Sequence, residues 1–440
     1  MITRFAPSPT GFLHIGGVRT ALFNYLFTRK NKGTYILRID DTDKERSKKE
    51  YEQDIIEGFK LLGLTWDNKE LIRQSERSQI YKNYLNKLIS ENKAYISKET
   101  PEEPGDREEV IRFRNPNKKV IIEDLIRGQV TVDTTDLGDF IIAKSVDEPI
   151  YHFASVVDDF EMKITHVVRA EEHLANTPRQ ILIQEAIGAP RPIYAHIPLI
   201  LAPDRTKLSK RHGATSLTDY VKMGYHKDAL INFLAFLGWN PGGEREVYNL
   251  DELVDLFDIT KVQKGGAIFN IEKLNWFNKE YISKLNDQEF DKLAKDFLPQ
   301  WFANDPRYER ARGTIREKVS IFGEISKMFE HGDLAFLKES INYNPDLLLW
   351  KKSPSREESK AHLVHVRDIL KDLHQDDFVV QTIRDSIWDY AEKSGRGNVL
   401  WPLRVALTGQ EKSPDPFVSA YILGKDISIQ RIDKAISDLS

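Results

Sequence analysis

The pattern of hydrophobic and polar positions changes character along the chain. An apolar run at 2–5 precedes a Pro- and Gly-rich turn, and apolar residues then recur at helical spacing from 18 to 26. A second apolar run at 34–39 is followed by further amphipathic helices. Strands that alternate with helices in this way predict an α/β domain built on a parallel sheet.

Between 98 and 145 the pattern is different. Short β-prone runs at 120–122, 130–132 and 140–143 follow a stretch at 101–106 that is rich in proline and charge. Because the α/β pattern returns afterwards, we expect an inserted α+β module that interrupts the sheet.

The α/β pattern resumes with a strand at 164–168, a helix, and a strand at 194–201. Thr177 and Pro178 predict the start of this helix, and Gln180 is placed to complete a capping box with Thr177. A second part of the same α/β sheet is therefore expected.

After about residue 240 the periodicity is almost wholly helical. Two apolar stripes at helical spacing illustrate it: Phe290, Leu293, Ala294, Phe297 and Leu298, and Ile429, Ile432, Ile436 and Leu439. Such stripes are typical of a packed helical core and carry no chemistry by themselves.

Composition narrows the class of protein. A chain of 440 residues exceeds what one hydrophobic core supports, so several folding units are expected. No apolar run is long enough to span a bilayer, so we expect no membrane partner. Since the first residues already form a strand-like segment, we also expect no signal peptide and a cytoplasmic protein. Because the chain has no cysteine, disulfides and thiolate zinc sites are excluded.

Net charge says little about partners. The chain has 64 Lys and Arg against 68 Asp and Glu, a formal charge of -4, which neither indicates nor excludes a nucleic acid. Local composition is more informative, because the stretch 204–227 holds six Lys or Arg and two Asp.

The turn between the first strand and the first helix is the first candidate for chemistry. A strand-turn-helix start offers unpaired N–H groups and the positive end of a helix dipole, which suit a polyphosphate. Gly16 and Gly17 permit close approach to the backbone, and His14 can donate a hydrogen bond to the same phosphates. A histidine in a Gly-rich turn is more often an ordinary surface residue, so the motif needs a partner.

Lys207 and Lys210 supply that partner, in the sequence Lys-Leu-Ser-Lys-Arg that follows the strand ending near residue 201. Alone, this charge run would read equally well as a solvated face. At the C-terminal edge of a parallel sheet, however, two lysines three residues apart can neutralise charge on transferring phosphates.

Together, the His-Ile-Gly-Gly turn and the Lys-Leu-Ser-Lys-Arg loop resemble the paired signatures of class I aminoacyl-tRNA synthetases. Further segments resemble the glutamyl branch of that class, in its bacterial type: Arg4 to Gly11, Arg38 to Asp43, and Val156 to Asp159 leading to Val168 to His173. The resemblance is dense from residue 1 to about 280. Beyond it, Pro402 to Gly409 resembles the anticodon-binding region of the family.

This resemblance implies a Rossmann-like catalytic domain on a parallel sheet, an inserted α+β module that binds the tRNA acceptor stem, and an all-helical anticodon-binding region. The domain bounds that follow are 1–97 and 146–240 for the two halves of the catalytic domain, 98–145 for the insertion, 241–310 for a helical connecting domain and 311–440 for the anticodon-binding domain.

The resemblance also implies an activity. L-glutamate would be activated with ATP to glutamyl-adenylate and then transferred to the 3′ end of tRNA(Glu), with tRNA(Gln) left open as a second acceptor. Mg²⁺ would accompany ATP, no residue of the chain would hold a metal, no zinc is expected, and the protein would be a monomer. His14, Lys207 and Lys210 would be the catalytic residues.

By the same resemblance, each substrate has a set of residues in this sequence. Glutamate would be bound by Arg4, Ser8, Asp40, Tyr151, Ser155 and Arg169. ATP would be bound by His14, Gly16, Glu172, His173, Ile200, Lys207, Leu208, Ser209 and Lys210, and the anticodon by Arg404. Which arginine takes which carboxylate stays open, and Arg38 and Asp43 read equally well as a structural ion pair.

Three other classes of protein fit the sequence less well. A glutaminyl enzyme is disfavoured, because an amide side chain does not call for the full positive charge of Arg169 and because such enzymes end in β-barrels rather than helices. A nucleotidyltransferase of the same superfamily would be far shorter, and a non-catalytic tRNA-binding paralogue would have lost active-site residues.

Three features depart from the family pattern. The insertion is short, Ser155 stands where some relatives have a larger side chain, and Ile321 falls near a position where some relatives read the third anticodon base with an arginine.

Overall fold

The computed structural model describes residues 1–100, 108–350 and 355–440, with the side chain of Lys210 outside the described part. The Pro- and charge-rich stretch at 101–106 lies outside the described residues. Two compact units divide the chain, Met1–Asn278 and Lys279–Ser440.

The first unit contains the strands of the described chain: β1 (Ile2–Phe5), β2 (Thr34–Ile39), β3 (Ile72–Arg73), β4 (Ala94–Lys98), β5 (Glu109–Phe113), β6 (Lys119–Asp124), β7 (Gly128–Asp133), β8 (Phe140–Ser145), β9 (Glu148–Pro149), β10 (His166–Ala170), β11 (Ile193–Ile197), β12 (Ile200–Leu201) and β13 (Ala267–Ile268). Its helices are α1 (Ile15–Lys30), α2 (Lys49–Leu62), α3 (Ser78–Ser90), α4 (Tyr151–Glu161), α5 (Thr177–Ile187), α6 (Leu217–Lys222), α7 (Lys227–Phe236), α8 (Leu250–Leu256) and α9 (Ile271–Lys284), in which the boundary between the units falls.

A parallel sheet forms the centre of this unit. β1 pairs with β2 and β2 with β3, while β10 pairs with β11, all in parallel. β10 lies beside β1, because the N–H of Ile2 donates to Thr165 Oγ1 at 2.8 Å and the N–H of Thr165 donates to the Ile2 carbonyl at 3.0 Å. The predicted α/β fold on a parallel sheet is therefore confirmed.

The strands of the insertion belong to two sheets. β4, β5, β8 and β9 make an antiparallel sheet. β6 and β7 make a hairpin whose first strand alternates exposed and buried positions, with Val120, Ile122 and Asp124 inward. Asp124 also lies opposite Tyr194 of β11 in a parallel register, so the hairpin extends the central sheet.

The predicted capping box at the start of α5 is wrong. Asn176 is the N-cap residue and makes no side-chain cap hydrogen bond, while Thr177 is already helical. The Thr177 hydroxyl and the Gln180 side chain instead accept hydrogen bonds from Arg169, at 2.7 Å each. Both polar side chains therefore bind the buried Arg169 guanidinium and not backbone N–H groups of the helix terminus.

Two other predicted elements are shorter than expected. The run at 194–201 is broken at Pro198, which has no N–H to give to a ladder, so that β11 and β12 are separate strands. The stripe at 290–298 is helical in α10 only to Ala294, and Leu298 is extended because the following Pro299 disfavours the helical conformation before it.

The second unit is helical throughout its described regular structure: α10 (Asp287–Ala294), α11 (Arg307–Lys318), α12 (Glu324–Glu330), α13 (Arg356–Asp372), α14 (Val380–Ser394), α15 (Arg396–Thr408), α16 (Pro416–Leu423) and α17 (Lys425–Asp438). Every one of these helices contributes to one apolar core, for example Ile315, Leu363, Ile387, Leu403 and Ile432. The predicted helical region is confirmed. Nowhere in the described ranges is a helix long and apolar enough to cross a membrane.

A buried network of charges lies beneath the C-terminal ends of β1 and β2. Arg38 is fully buried and binds Asp40 through Nε at 2.7 Å and Asp159 through Nη1 at 2.8 Å. Asp158 is also fully buried, with Oδ2 at 3.8 Å from Arg38 Nε. Since each ion has at least one partner of opposite charge, the network offsets the cost of desolvation.

Asp158 connects this network to α3 and the segment before it. It accepts hydrogen bonds from Arg77 Nε at 2.6 Å, Tyr81 Oη at 2.7 Å and Gln74 Nε2 at 2.8 Å. Its carboxylate is therefore both the counter-ion and the acceptor for three side chains of a neighbouring segment.

We predict that Asp158→Ala destabilises the first unit by about 3–5 kcal/mol, because it leaves buried cations and donors without their acceptor. Native-state hydrogen exchange on peptides of α4 measures this loss. The control is Asp147→Ala, whose surface pair with Lys82 is solvent-exposed and should change stability by less than about 1 kcal/mol. Equal, small effects of the two substitutions would contradict the structural role of Asp158.

Candidate active site

A cavity of about 490 Å³ opens at the C-terminal ends of β1, β2 and β10, beside the N-terminus of α1. This is the edge of a parallel sheet where ligands bind in open α/β folds. Most of the residues predicted for glutamate and ATP line this one cavity: Arg4, Ser8, His14, Gly16, Asp40, Tyr151, Ser155, Arg169, Glu172, His173, Ile200, Lys207 and Leu208.

Arg4 is a buried arginine that is neutralised by the chain itself. Its Nε and Nη2 bind the two carboxylate oxygens of Asp159 at 3.0 and 3.2 Å. Arg38 binds Asp159 from the other side. The bidentate contact fixes the plane of the Arg4 guanidinium at the cavity wall.

Arg169 is equally buried but has no carboxylate partner among the described residues. Nε donates to His196 Nε2 at 3.2 Å and Nη1 to Gln180 Oε1 at 2.7 Å. Nη2 donates to Thr177 Oγ1 at 2.7 Å and weakly to the His173 carbonyl at 3.4 Å. A guanidinium held only by groups that are not carboxylates keeps an uncompensated positive charge.

The histidine turn is built as the N-cap of α1. His14 is extended, and its Nδ1 accepts a hydrogen bond from the N–H of Gly16 at 3.0 Å. In the neutral ring this acceptor role puts the proton on Nε2. A Cβ on Gly16 would lie 3.2 Å from His14 Nδ1, so a side chain there would press on the imidazole that the turn has to hold.

The segment after the lysine loop clamps this turn. His14 forms an isolated antiparallel bridge with Ser216, the Ile15 N–H donates to the Thr215 carbonyl at 2.9 Å, and the Leu217 N–H donates to the Leu13 carbonyl at 2.9 Å. Backbone hydrogen bonds therefore fix the histidine turn to the segment that follows the lysine loop, about 200 residues downstream.

Lys207 and Leu208 are held next to β12. Lys207 forms an isolated bridge with Leu201, and the Leu208 N–H donates to the Ile200 carbonyl at 3.1 Å. The Lys207 ammonium is exposed and bonds the Glu172 carboxylate, which is also exposed. Because surface pairs of this kind are weak, Lys207 can leave Glu172 for a more strongly charged ligand.

The aromatic side of the cavity is uncharged near neutral pH. The Tyr151 hydroxyl lies 3.2 Å from His173 Nδ1. Burial, together with the nearby Arg169, lowers the pKa of His173 to about 4. The ring therefore contributes a hydrogen-bonding surface and not a charge.

Two predicted residues, Ser209 and Arg404, are not among the described residues that line the cavity, and a third, Lys210, is described only in its backbone. Ser209 follows Leu208, and its Oγ lies 3.2 Å from His212 Nδ1. Lys210 begins a short 3-10 turn, and its side chain is outside the described part of the structure. Arg404 belongs to α15 of the second unit, where its Nη1 lies 3.5 Å from the Glu411 carbonyl.

Sequence reasoning gave no role to several residues that hold the site together. Asp159 ends the family-like segment Val156 to Asp159, yet its contact with Arg4 depends on α4 lying against β1. His196, Gln180 and Thr177 surround Arg169 from three different elements. A polar residue inside an apolar strand, such as His196 in β11, is the one local signal that indicates such a partner.

Comparison with known proteins gives the following matches. Residues 1–109 and 103–276 match the family described as tRNA synthetases class I (E and Q), catalytic domain, and residues 289–436 match the family described as anticodon binding domain.

Among curated relatives, the glutamate–tRNA ligase of Carboxydothermus hydrogenoformans is 40% identical over 98% of each chain. The glutamate–tRNA ligase of Aquifex aeolicus is 40% identical over 100% of this chain and 99% of its own. The crystal structure of a glutamate tRNA ligase from Elizabethkingia meningosepticum, in complex with its amino acid, is 32% identical and covers 100% of both chains with a TM-score of 0.88.

Proposed function

The chain belongs to the glutamate–tRNA ligase family of the class I aminoacyl-tRNA synthetases, and we propose that its cavity is where L-glutamate is activated with ATP and then passed to tRNA. The observation that carries this proposal is the pair of buried arginines at the cavity wall. Arg4 has a carboxylate partner, whereas the described residues give Arg169 only acceptors that are not carboxylates.

Arg169 is the receptor for the side-chain carboxylate of glutamate. A buried guanidinium without a counter-ion is stabilised by an anionic ligand and much less by a neutral amide, so glutamine is disfavoured at this position. The order β2, β1, β10 supports this orientation, because Asp40 follows β2 and Arg169 lies in β10, on opposite sides of Arg4.

The other end of the amino acid is assigned to the β2 side. Asp40 accepts the α-ammonium, and Arg4 with the Tyr151 hydroxyl holds the α-carboxylate near the nucleotide. Ser8 and Ser155 complete the wall, with Ser155 Oγ 3.4 Å from Arg38 Nη2.

ATP is assigned to the α1 side of the cavity. The phosphates are bound by the turn at His14 and Gly16 and by the helix dipole, and the base and ribose lie toward Glu172, His173, Ile200 and Leu208. Lys207, with Lys210 and Ser209 of the same loop, supplies charge and donors to the phosphates.

Mg²⁺ fits this site as a companion of ATP. The carboxylates that line the cavity in the described structure, Asp40 and Glu172, are each paired with a cation of the chain. Phosphate oxygens are hard ligands that Mg²⁺ prefers, and the ion adds positive charge there when bound.

The reaction has two displacement steps and needs no covalent enzyme nucleophile. A glutamate α-carboxylate oxygen attacks the α-phosphorus of ATP, and pyrophosphate leaves. The terminal 2′-hydroxyl of tRNA then attacks the glutamyl carbonyl, and AMP leaves. The chain contributes alignment of the reactants and stabilisation of the charge on the leaving phosphates by His14 and Lys207.

The tRNA is assigned to the remaining parts of the chain. We keep the bounds 98–145 for an acceptor-stem module, 241–310 for a connecting domain and 311–440 for an anticodon-binding domain. Arg404 supports the last assignment, because its buried Nε has no hydrogen-bond partner among the described residues. The acceptor in this proposal is tRNA(Glu). Charging of tRNA(Gln) is to be measured with the purified RNA. The protein acts as a monomer in the cytoplasm.

ATP–pyrophosphate exchange measured with each amino acid, with and without tRNA, tests the function. We expect exchange with glutamate alone and only when tRNA is present. Exchange with a different amino acid in the absence of tRNA would overturn the assignment.

The affinity for glutamate should depend on the protonation of Asp40. Burial raises the pKa of Asp40 to about 6, although Arg38 beside it favours the carboxylate. The ionised form that attracts an ammonium is present above this pH and is lost as the pH falls through it. We predict that the KM for glutamate rises roughly tenfold per pH unit below about pH 6. The Asp40→Asn variant should have a high KM with no inflection there, and an unchanged inflection would assign the titration to another group.

Lys207 should matter for the chemical step. We predict that Lys207→Ala lowers the exchange rate at saturating substrates by about 10²–10³-fold, because a charge aimed at the transferring phosphates is lost. Lys222→Ala is the matched control, since Lys222 is an exposed lysine of the same basic stretch at the end of α6. A rate like that of the control would remove Lys207 from the mechanism.

A further inference from the structure

A chain of buried hydrogen bonds connects the inserted hairpin to Arg169. Asp124, the last residue of β6, lies with Oδ2 2.6 Å from His196 Nδ1. On the far side of the ring, His196 Nε2 lies 3.2 Å from Arg169 Nε. The three side chains are 6%, 0% and 5% exposed in the order Asp124, His196, Arg169, so water does not compete for these contacts.

Asp124 determines which nitrogen of His196 carries the proton. Its Oδ1 accepts the backbone N–H groups of Ile126 at 2.9 Å and Arg127 at 2.8 Å, and its Oδ2 accepts the N–H of His196 at 3.0 Å. Although burial favours the neutral acid, hydrogen bonds from His196 and the Arg127 backbone hold the pKa of Asp124 below its usual value. A carboxylate only accepts, so His196 Nδ1 is the donor.

The other nitrogen of the ring is consequently an acceptor. The guanidinium can only donate, so its Nε–H requires a lone pair on His196 Nε2. Burial lowers the pKa of His196, which keeps the second proton off the ring at neutral pH. The ring is also held in place, because it stacks on Tyr194 with ring centroids 5.9 Å apart and an interplanar angle of 14°.

We propose that Asp124 and His196 are positioning residues for substrate specificity: by fixing the His196 tautomer they orient Arg169 and leave its charge for the side-chain carboxylate of glutamate. The inference rests on the role given to Arg169 under the proposed function. Arg4 and Arg169 differ in whether a carboxylate contacts them directly, because the His196 ring lies between Asp124 and Arg169. Asp159 binds Arg4 directly and neutralises it, whereas the imidazole keeps the Asp124 carboxylate from forming a salt bridge with Arg169.

The N–H donors of Arg169 are divided between partners in the chain and a ligand carboxylate. Of its five N–H groups, one goes to His196, one to Gln180 and one to Thr177. N–H groups on the two terminal nitrogens remain for a carboxylate, since the one further hydrogen bond that the described residues offer, to the His173 carbonyl, is long at 3.4 Å. A rotated guanidinium would offer the ligand fewer of them.

The position of Asp124 makes this arrangement depend on the insertion. Asp124 lies opposite Tyr194 in the pairing of β6 with β11, one strand away from the strand that carries Arg169. The turn after it is also tied to the cavity wall, because Arg127 bonds Glu171 and Glu171 accepts the Leu199 N–H at 2.7 Å. The β6–β7 hairpin therefore supports the amino-acid site from within the sheet.

Asp124→Asn is the main test. The amide oxygen is retained by the backbone N–H groups of Ile126 and Arg127, so the amide nitrogen faces His196 Nδ1 and favours the other tautomer. Nε2–H then opposes the Arg169 Nε–H. The backbone N–H of His196 loses its nearer acceptor in the same variant, so the melting temperature is measured alongside. We expect the KM for glutamate, measured by pyrophosphate exchange with saturating ATP and tRNA, to rise about 10- to 100-fold, while kcat changes less than about threefold. Preference for glutamate over glutamine should fall by a similar factor.

Two substitutions of His196 separate its two contacts. His196→Gln can present an acceptor near the place of Nε2 but no longer depends on Asp124, so it should have a KM closer to that of the unchanged protein. His196→Asn can keep the donor to Asp124 but does not reach Arg169, so its KM should rise as in Asp124→Asn. In the double variant, Asp124→Asn should add little to His196→Gln, a non-additivity that a double-mutant cycle measures.

The controls distinguish this inference from its premise. Asp133→Asn is the matched control, an exposed aspartate of the same hairpin, and should leave KM unchanged. If Arg169→Gln leaves the KM for glutamate unchanged, the role proposed for Arg169 fails. If Arg169→Gln raises KM but Asp124→Asn lowers only the melting temperature, Asp124 and His196 are structural and the inference is overturned.

Discussion

The site depends on an unequal treatment of two buried arginines that lie on neighbouring strands. Burying a guanidinium is costly unless an anion accompanies it. Arg4 receives that anion from α4, as Asp159, whereas Arg169 is surrounded by Gln180, Thr177 and His196. Arg169 is thus a buried cation without an anion among the described residues, and under the proposed function a ligand carboxylate supplies that anion.

The first unit places both arginines on the wall of one cavity that His14 also lines. Backbone hydrogen bonds join the His14 turn to residues 215–217, which follow the loop of Lys207. Under the proposed function, an amino acid and a triphosphate lie side by side in this cavity.

The strands of the insertion belong to two different sheets. β5 and β8 pair with β4 and β9 in an antiparallel sheet, while the β6–β7 hairpin is part of the central sheet. Asp124 therefore lies within the sheet that carries Arg169, and the role inferred for it acts through that sheet. The family match over the catalytic part and the separate match at residues 289–436 agree with a helical second unit that is a domain of its own.

The α/β class, the helical second half and the family could be predicted from the amino-acid sequence, because strand and helix periodicities and short motifs such as His14 to Gly17 are local properties of the chain. The sequence also indicated which residues carry charge toward a substrate, and the roles of those residues stay predictions. How the charges are paired depends on contacts between elements that are distant along the chain. The capping box expected at Thr177 and Gln180 failed because Arg169, from a different strand, offers these side chains stronger hydrogen bonds than the helix terminus does. Likewise, no local pattern distinguishes Arg4 from Arg169, since their difference lies in what α4 and β11 bring next to them.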